Sequence, residues 1–381
     1  MEEKRKKGVN KFIAFLLIAA TVVSVVIFAA SGNEPDGNHT NQPDSSLGAT
    51  NESQNNNTPP PQDSGNADEE PPENTAPKDE EPPVVPTFKH TLTGLDITEE
   101  EKTSNAFGTV IDPSSLSYGL SYADIAIEFP IEDGTTRMLF FSSSVDTIWK
   151  IGAIAPTRDY ISSITAYWGG VLVANGCDDS VVYSVDEDIS AVLDISKHAD
   201  CYYVEDGRCI FTNENLINIA FNRTQLALDT HGYKSAPYIF SEGEENHGIG
   251  GANRITVPYS DTNITSLVYN ETTQKYTYHK NGEEKVDMLT GQSVSFTNVF
   301  VLFANSTTYE SSSSRETVFD TSSGGKGYYI SSGRQVEFTW SAESGELVFR
   351  SLSGEVLEVN PGNSYITYYK ASITSSILVQ S

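Results

Sequence analysis

The chain has 381 residues and a formal net charge of −28, from 24 Lys or Arg against 52 Asp or Glu. A surface this acidic repels phosphate backbones and anionic headgroups, which argues against a nucleic acid partner and leaves cations and neutral or basic polymers open. The length accommodates about two domains once an unpacked N-terminal stretch is set aside.

Residues 1–11 form a basic tail carrying Lys4, Arg5, Lys6, Lys7 and Lys11. The run from Phe12 to Ala30 contains no charge, Gly or Pro and is long enough as a helix to cross a bilayer core. The charge asymmetry places the N-terminus in the cytoplasm and the remainder outside. An uncleaved signal anchor is the favoured expectation; the alternative is a signal peptide cut near Ala29-Ala30-Ser31. Residues 31–86 hold mostly Asn, Asp, Glu, Pro, Ser and Gly, which cannot bury enough apolar surface to offset ordering. They predict a disordered acidic linker with a reach of about 40 Å.

The first globular part is expected over 91–235. Gly108 to Ile111 predicts a strand that ends at Asp112, where loops gather. Alternation from Asp124 to Ile131 predicts a second strand, and Asp133-Gly134 a two-residue hairpin turn into Thr135 to Ser142. That register sets Pro130 opposite Arg137 and puts Glu128 and Arg137 on one face, with Ile125, Ile127, Phe129, Met138 and Phe140 on the other. Thr157 is expected to cap a helix whose stripe carries Ile161, Ile164 and Trp168 and which stops at Gly169-Gly170. The strand Val171 to Ala174 follows. Asn222 and Gln225 resemble a capping box for a helix ending at Gly232.

Ser241 to Ala252 reads as a linker into a second part over 253–370. Its short Val-, Ile-, Thr-, Tyr- and Phe-rich runs predict strands at Ser266 to Asn270, Lys275 to Lys280, Val299 to Ala304, Gly327 to Ser331, Val336 to Ser341, Leu347 to Ser351, Val356 to Val359 and Ser364 to Lys370. Ser306 to Ser314 is expected to be a loop, and the glycine run ending at Gly327 a flexible turn. The fold class is therefore α+β: a mixed α/β domain, then an antiparallel β-rich domain, behind one transmembrane helix and a disordered linker.

Nucleophile elbows, Walker loops, His-Glu-x-x-His and EF-hand loops do not occur, and the histidines, including His90, read as exposed. Cys177, Cys201 and Cys209 form no Cys-x-x-Cys pair; Cys201 and Cys209 could bridge, but buried thiols are favoured. No cofactor or metal is expected. Asp112, Glu128, Arg137, Arg158 and Asn218 form a candidate polar cleft, since paired carboxylates with a cation are the minimum for acid–base work on a sugar or amide.

Val110-Ile111-Asp112, Tyr118 to Ile125, Glu128, Asp133-Gly134-Thr135-Thr136-Arg137, Lys150-Ile151-Gly152 and Arg158 occur in an order that resembles the YerB-like lipoproteins of Gram-positive envelopes. Val268-Tyr269-Asn270, Thr290-Gly291, Trp340 and Pro361-Gly362 extend the resemblance through the second part. In that family a lipid-modified cysteine follows the signal segment, an arginine-rich stretch precedes the helix and a Pro-His-Asn run precedes the late helix. This chain has no such cysteine, has Ala155-Pro156-Thr157-Arg158, and has Ile217 where the His would be. The resemblance implies fold and envelope location more than mechanism. The expected function is a membrane-anchored extracytoplasmic binding or assembly module, with a cell-wall polymer or another envelope protein as partner; the alternative is a cell-wall hydrolase or transferase.

Overall fold

The computed structural model describes residues 88–98, 106–143, 148–176, 192–224, 234–245, 247–310, 315–342 and 346–381. The basic tail, the predicted membrane helix, the acidic linker, Cys177, Gln225 and Gly232 lie outside them. No helix among the described residues is long and apolar enough to cross a membrane.

The body is β-rich with few helices, and one sheet runs through both expected parts. At its centre Ile125–Pro130 pairs antiparallel with Thr136–Phe141 on one side and parallel with Ser364–Lys370 on the other. From Ser364–Lys370 the sheet continues through Asn298–Ala304, Gly325–Ser331 and Arg334–Ser341; from Thr136–Phe141 it continues through Phe107–Ile111 to Ile151–Ile154 and Val171–Ala174. Fourteen described strands belong to it. The second part is thus not purely antiparallel, because Asn298–Ala304 and Ser364–Lys370 run in parallel. Both faces of Asn298–Ala304 are buried, which explains its unbroken apolar run.

A six-stranded sheet built on Arg254–Ser260, Asn263–Asn270 and Lys275–Lys280 covers one face. Its Ile255, Val257, Leu267, Tyr276 and Tyr278 pack with Ala126, Met138, Phe140, Val299 and Tyr365 of the large sheet. The opposite face carries Ile125, Ile127, Phe129, Leu139 and Phe141 against Ile161, Ile164 and Trp168 of the helix Asp159–Trp168.

Several expectations need correction. The hairpin loop is the three-residue turn Glu132–Gly134, with Asp133 at φ 57° and Gly134 at φ 73°. Glu128 therefore faces Met138, and Arg137 faces Phe129. Because side chains alternate faces, this single-residue shift separates Glu128 from Arg137 and moves Met138 and Phe140 to the Glu128 face. The turn is held by the small sheet, where Asn263 Nδ2 donates to Gly134 O at 2.8 Å. Arg158, not Thr157, is the N-cap of the first helix. The late helix is Glu214–Arg223, capped by Asn213, whose side chain accepts from Leu216 N–H at 3.0 Å; Asn222 lies in its last turn.

The expected linker contributes the strand Ile249–Gly250 to the large sheet. Ser306–Glu310 and Arg315–Phe319 pair as a hairpin where a loop was expected. Gly325 and Gly327 lie within a strand rather than a turn. His90 is buried, with Nδ1 3.2 Å from Thr93 Oγ1.

Candidate functional site

Glu128 occupies the face of its strand that meets the small sheet. Its carboxylate is fully buried and receives Lys280 Nζ on Oε1 at 2.5 Å. Oε2 accepts from Tyr365 OH at 2.6 Å, Thr265 Oγ1 at 3.0 Å and Tyr278 OH at 3.2 Å. Lys280 Nζ also donates to Thr136 Oγ1 at 3.1 Å and Thr265 Oγ1 at 3.0 Å, so its three protons are all used. The Tyr259 ring lies 5.0 Å from the same ammonium. Burial pushes the Glu128 carboxyl upward, but the Lys280 charge and the hydrogen bonds overrule it and hold the group below its ordinary value. Burial, reinforced by the Glu128 charge, raises the Tyr259, Tyr278 and Tyr365 hydroxyls well above the usual phenol range. This is a closed, saturated ion pair.

Asp112, Arg137 and Arg158 gather on the other face, with Glu132 as a fourth member. Arg158 clamps Glu132 through Nε to Oε1 at 3.0 Å and Nη2 to Oε2 at 2.7 Å, a two-pronged geometry with both side chains largely buried. Burial pushes Glu132 up, but the hydrogen bonds and charge of Arg158 bring it below its ordinary value. Arg137 donates Nη1 to Thr136 O at 3.1 Å, forms no ion pair among the described residues, and has a buried Nε without a hydrogen-bond partner. Burial lowers its pKa, as does the Arg158 charge, against the opposing pull of Asp112 and Glu132.

Asp112 lies one step beyond the Ile111–Met138 pair, which brings it beside Arg137. Its carboxylate turns back on its own loop, accepting from Ser114 N–H at 2.9 Å, Ser114 Oγ at 2.6 Å and Ser115 Oγ at 3.3 Å. Lys285, from beyond the small sheet's central hairpin, donates to Ser115 O at 2.9 Å and secures that loop. Such a cluster can hold an anionic or polar group through guanidinium donors.

Of the sequence-derived candidates, the structure thus groups Asp112, Arg137 and Arg158, sets Glu128 on the far side of the sheet, and leaves Asn218 half-buried on the late helix. Ile217 beside it is buried in the core with Phe107, Phe140 and Ile151. The sequence reading missed Glu132 and Lys280. A signal for Lys280 was present, since it shares the inward parity of Tyr276 and Tyr278 along Lys275–Lys280. Cys201 is buried and Cys209 half-buried, both as free thiols. Among the described residues no three His, Cys, Asp or Glu side chains converge to hold a metal.

A β-rich body with a sealed ion pair on one face of its main sheet and an arginine–carboxylate cluster on the other defines the class structurally. Residues 92–221 match the N-terminal domain, and residues 255–366 the C-terminal domain, of the family described as protein of unknown function (DUF3048); the chain belongs to that family. It is 25% identical over 291 residues to the "Putative lipoprotein YerB" of Bacillus subtilis (strain 168), covering 73% of this chain and 85% of the relative. The crystal structure of YerB protein from Bacillus subtilis shares the fold, with a TM-score of 0.68 at 20% identity over 77% of this chain and all of that one.

Proposed function

We propose that this protein is a membrane-tethered extracytoplasmic module that binds an envelope component, a cell-wall polymer or another envelope protein, without cleaving it. The observation that supports binding over hydrolysis is the enclosure of Glu128. A general acid or base must come within hydrogen-bond reach of the reacting atom. Glu128 is fully buried and spends both oxygens on Lys280, Thr265, Tyr278 and Tyr365. The cluster of Asp112, Glu132, Arg137 and Arg158 offers fixed donors for recognition instead. The uncharged run from Phe12 to Ala30 would act as the anchor, and residues 31–86 would give the body reach.

Two measurements test this reading. The full chain in detergent, mixed with purified peptidoglycan sacculi, is expected to sediment with them and release no soluble fragments; fragments whose release stops in Asp112→Asn would establish hydrolysis instead. Cell fractionation is expected to place the chain in the membrane pellet with its body open to external protease, and recovery entirely in the medium, starting near Ser31, would overturn the anchor.

A further inference from the structure

A groove of about 470 Å³ opens where the first turn of the body, the small sheet and the strand Ser364–Lys370 approach one another. Tyr122, Leu95 and Pro361 give it apolar wall, while Gln274, Lys275 and Asn363 give it polar wall. Asn363 holds the two sides together, donating Nδ2 to Ser295 O at 2.7 Å and accepting from Thr297 N–H at 3.2 Å. The volume is in the range of small-ligand sites, roughly 300–1,000 Å³.

Lys275 stands apart from the other polar groups of this groove. It is half-buried yet makes no side-chain hydrogen bond or ion pair with any described residue. Partial burial of an ammonium without a counter-ion is unfavourable. Burial lowers its pKa. The two carboxylates on the groove are engaged elsewhere: Asp124 Oδ2 accepts from Ser143 N–H at 2.6 Å, and Glu244 Oε1 accepts from Ser332 Oγ at 2.5 Å. Gln274, next to Lys275, also makes no side-chain hydrogen bond with any described residue, and it is exposed.

We propose that this groove binds a saccharide bearing a single carboxylate, with Lys275 pairing the carboxylate, Gln274 bonding the sugar's polar edge, and Tyr122 lying against its apolar face. A pyranose presents C–H faces and hydroxyl edges, which this mixture of ring, aliphatic and amide wall complements. The described lining of the groove sets one cation, Lys275, against the two carboxylates Asp124 and Glu244, so a polyanion such as a polyphosphate meets more repulsion than attraction. The choice of an envelope sugar rests on the binding function proposed above; the groove and its lone cation stand independently of it.

The test titrates the full chain in detergent with N-acetylmuramic acid, using N-acetylglucosamine as the neutral control and inorganic phosphate as the bare anion. N-acetylmuramic acid is expected to bind measurably more tightly than either control. Lys275→Met is expected to weaken it by about tenfold or more, the loss of one charge-assisted contact, while Lys275→Arg retains most of it. Gln274 has φ 55°, so Gln274→Gly removes the amide without backbone penalty and should weaken binding severalfold. Equal binding of the two sugars, competition by phosphate at equal strength, or undiminished binding in folded Lys275→Met would each overturn the proposal. Sacculus retention without affinity for the acid sugar would defeat the groove alone; affinity for the acid sugar without retention would defeat the cell-wall partner alone.

Discussion

Glu128 and Lys280, 152 residues apart in sequence, meet as a carboxylate and an ammonium whose side chains are 0% and 4% exposed. The pair pins the central strand Ile125–Pro130 to the small sheet, in a setting where a charge deprived of its partner has no access to water.

Glu128→Gln is therefore expected to destabilise the body by about 3–5 kcal/mol, because it leaves Lys280 buried and uncompensated. Replacing both, Glu128→Leu with Lys280→Met, is expected to cost less than either single change. Equilibrium urea denaturation of the wild type, Glu128→Leu, Lys280→Met and the double variant measures the coupling; strictly additive losses would refute it. A loss of any activity in Glu128→Gln should be interpreted only alongside this stability measurement.

The same pair gives acid sensitivity with a definite sign. Its folded pKa lies below the ordinary 4.5, so the stability it contributes is present above that value and lost as pH falls through the folded value. Glu132, also lowered, adds to the acid limb of the wild type. The stability difference between wild type and Glu128→Gln is expected to shrink as pH drops below about 4.5, which thermal melts across pH will show.

Arg158→Lys retains the charge but loses the fork that holds Glu132 at two oxygens. A loss of about 1 kcal/mol is expected, and it should disappear in a Glu132→Gln background if the clamp is the cause.

Asp287 is fully buried and accepts from Gly119 N–H at 3.1 Å, Ser121 N–H at 2.7 Å, Ser121 Oγ at 2.7 Å and Leu289 N–H at 2.8 Å. Asp287→Ala orphans four donors, three backbone N–H groups and one hydroxyl, three of them reaching it across a join between the two family domains. It should cost about 2–4 kcal/mol and raise hydrogen exchange at residues 119–121 first; a uniform rise across the body would contradict that local role.

Lys275–Lys280 and Ser364–Lys370 were legible from residue pattern to their last residue, because period-two alternation or a β-branched and aromatic run specifies a strand locally. The hairpin register was not. Asp133-Gly134 suits both a two- and a three-residue loop, and the contact from Asn263 that accompanies the longer one comes from a distant segment. Asp112, Arg137 and Arg158 could be named as chemistry-bearing residues, but their grouping depended on that register. The lone cation Lys275 was legible only as a strand residue, since its lack of a partner is a property of the assembled walls. Continuity of the large sheet left no local trace, because the strands it joins are remote in sequence.

The parallel pairing of Ile125–Pro130 with Ser364–Lys370 sets an order of events during folding. Tyr365 reaches Glu128 across 237 residues, so the centre of the main sheet is completed only by nearly the last strand of the chain. A chain emerging N-terminal end first during synthesis presents Ile125, Ile127 and Phe129 with one strand edge open until residue 370 has emerged. Closing such a long loop is slow relative to local pairing. The early half of the chain thus keeps an open strand edge until its late partner arrives, and truncation before Ser364 would leave an exposed, aggregation-prone edge rather than a smaller folded domain.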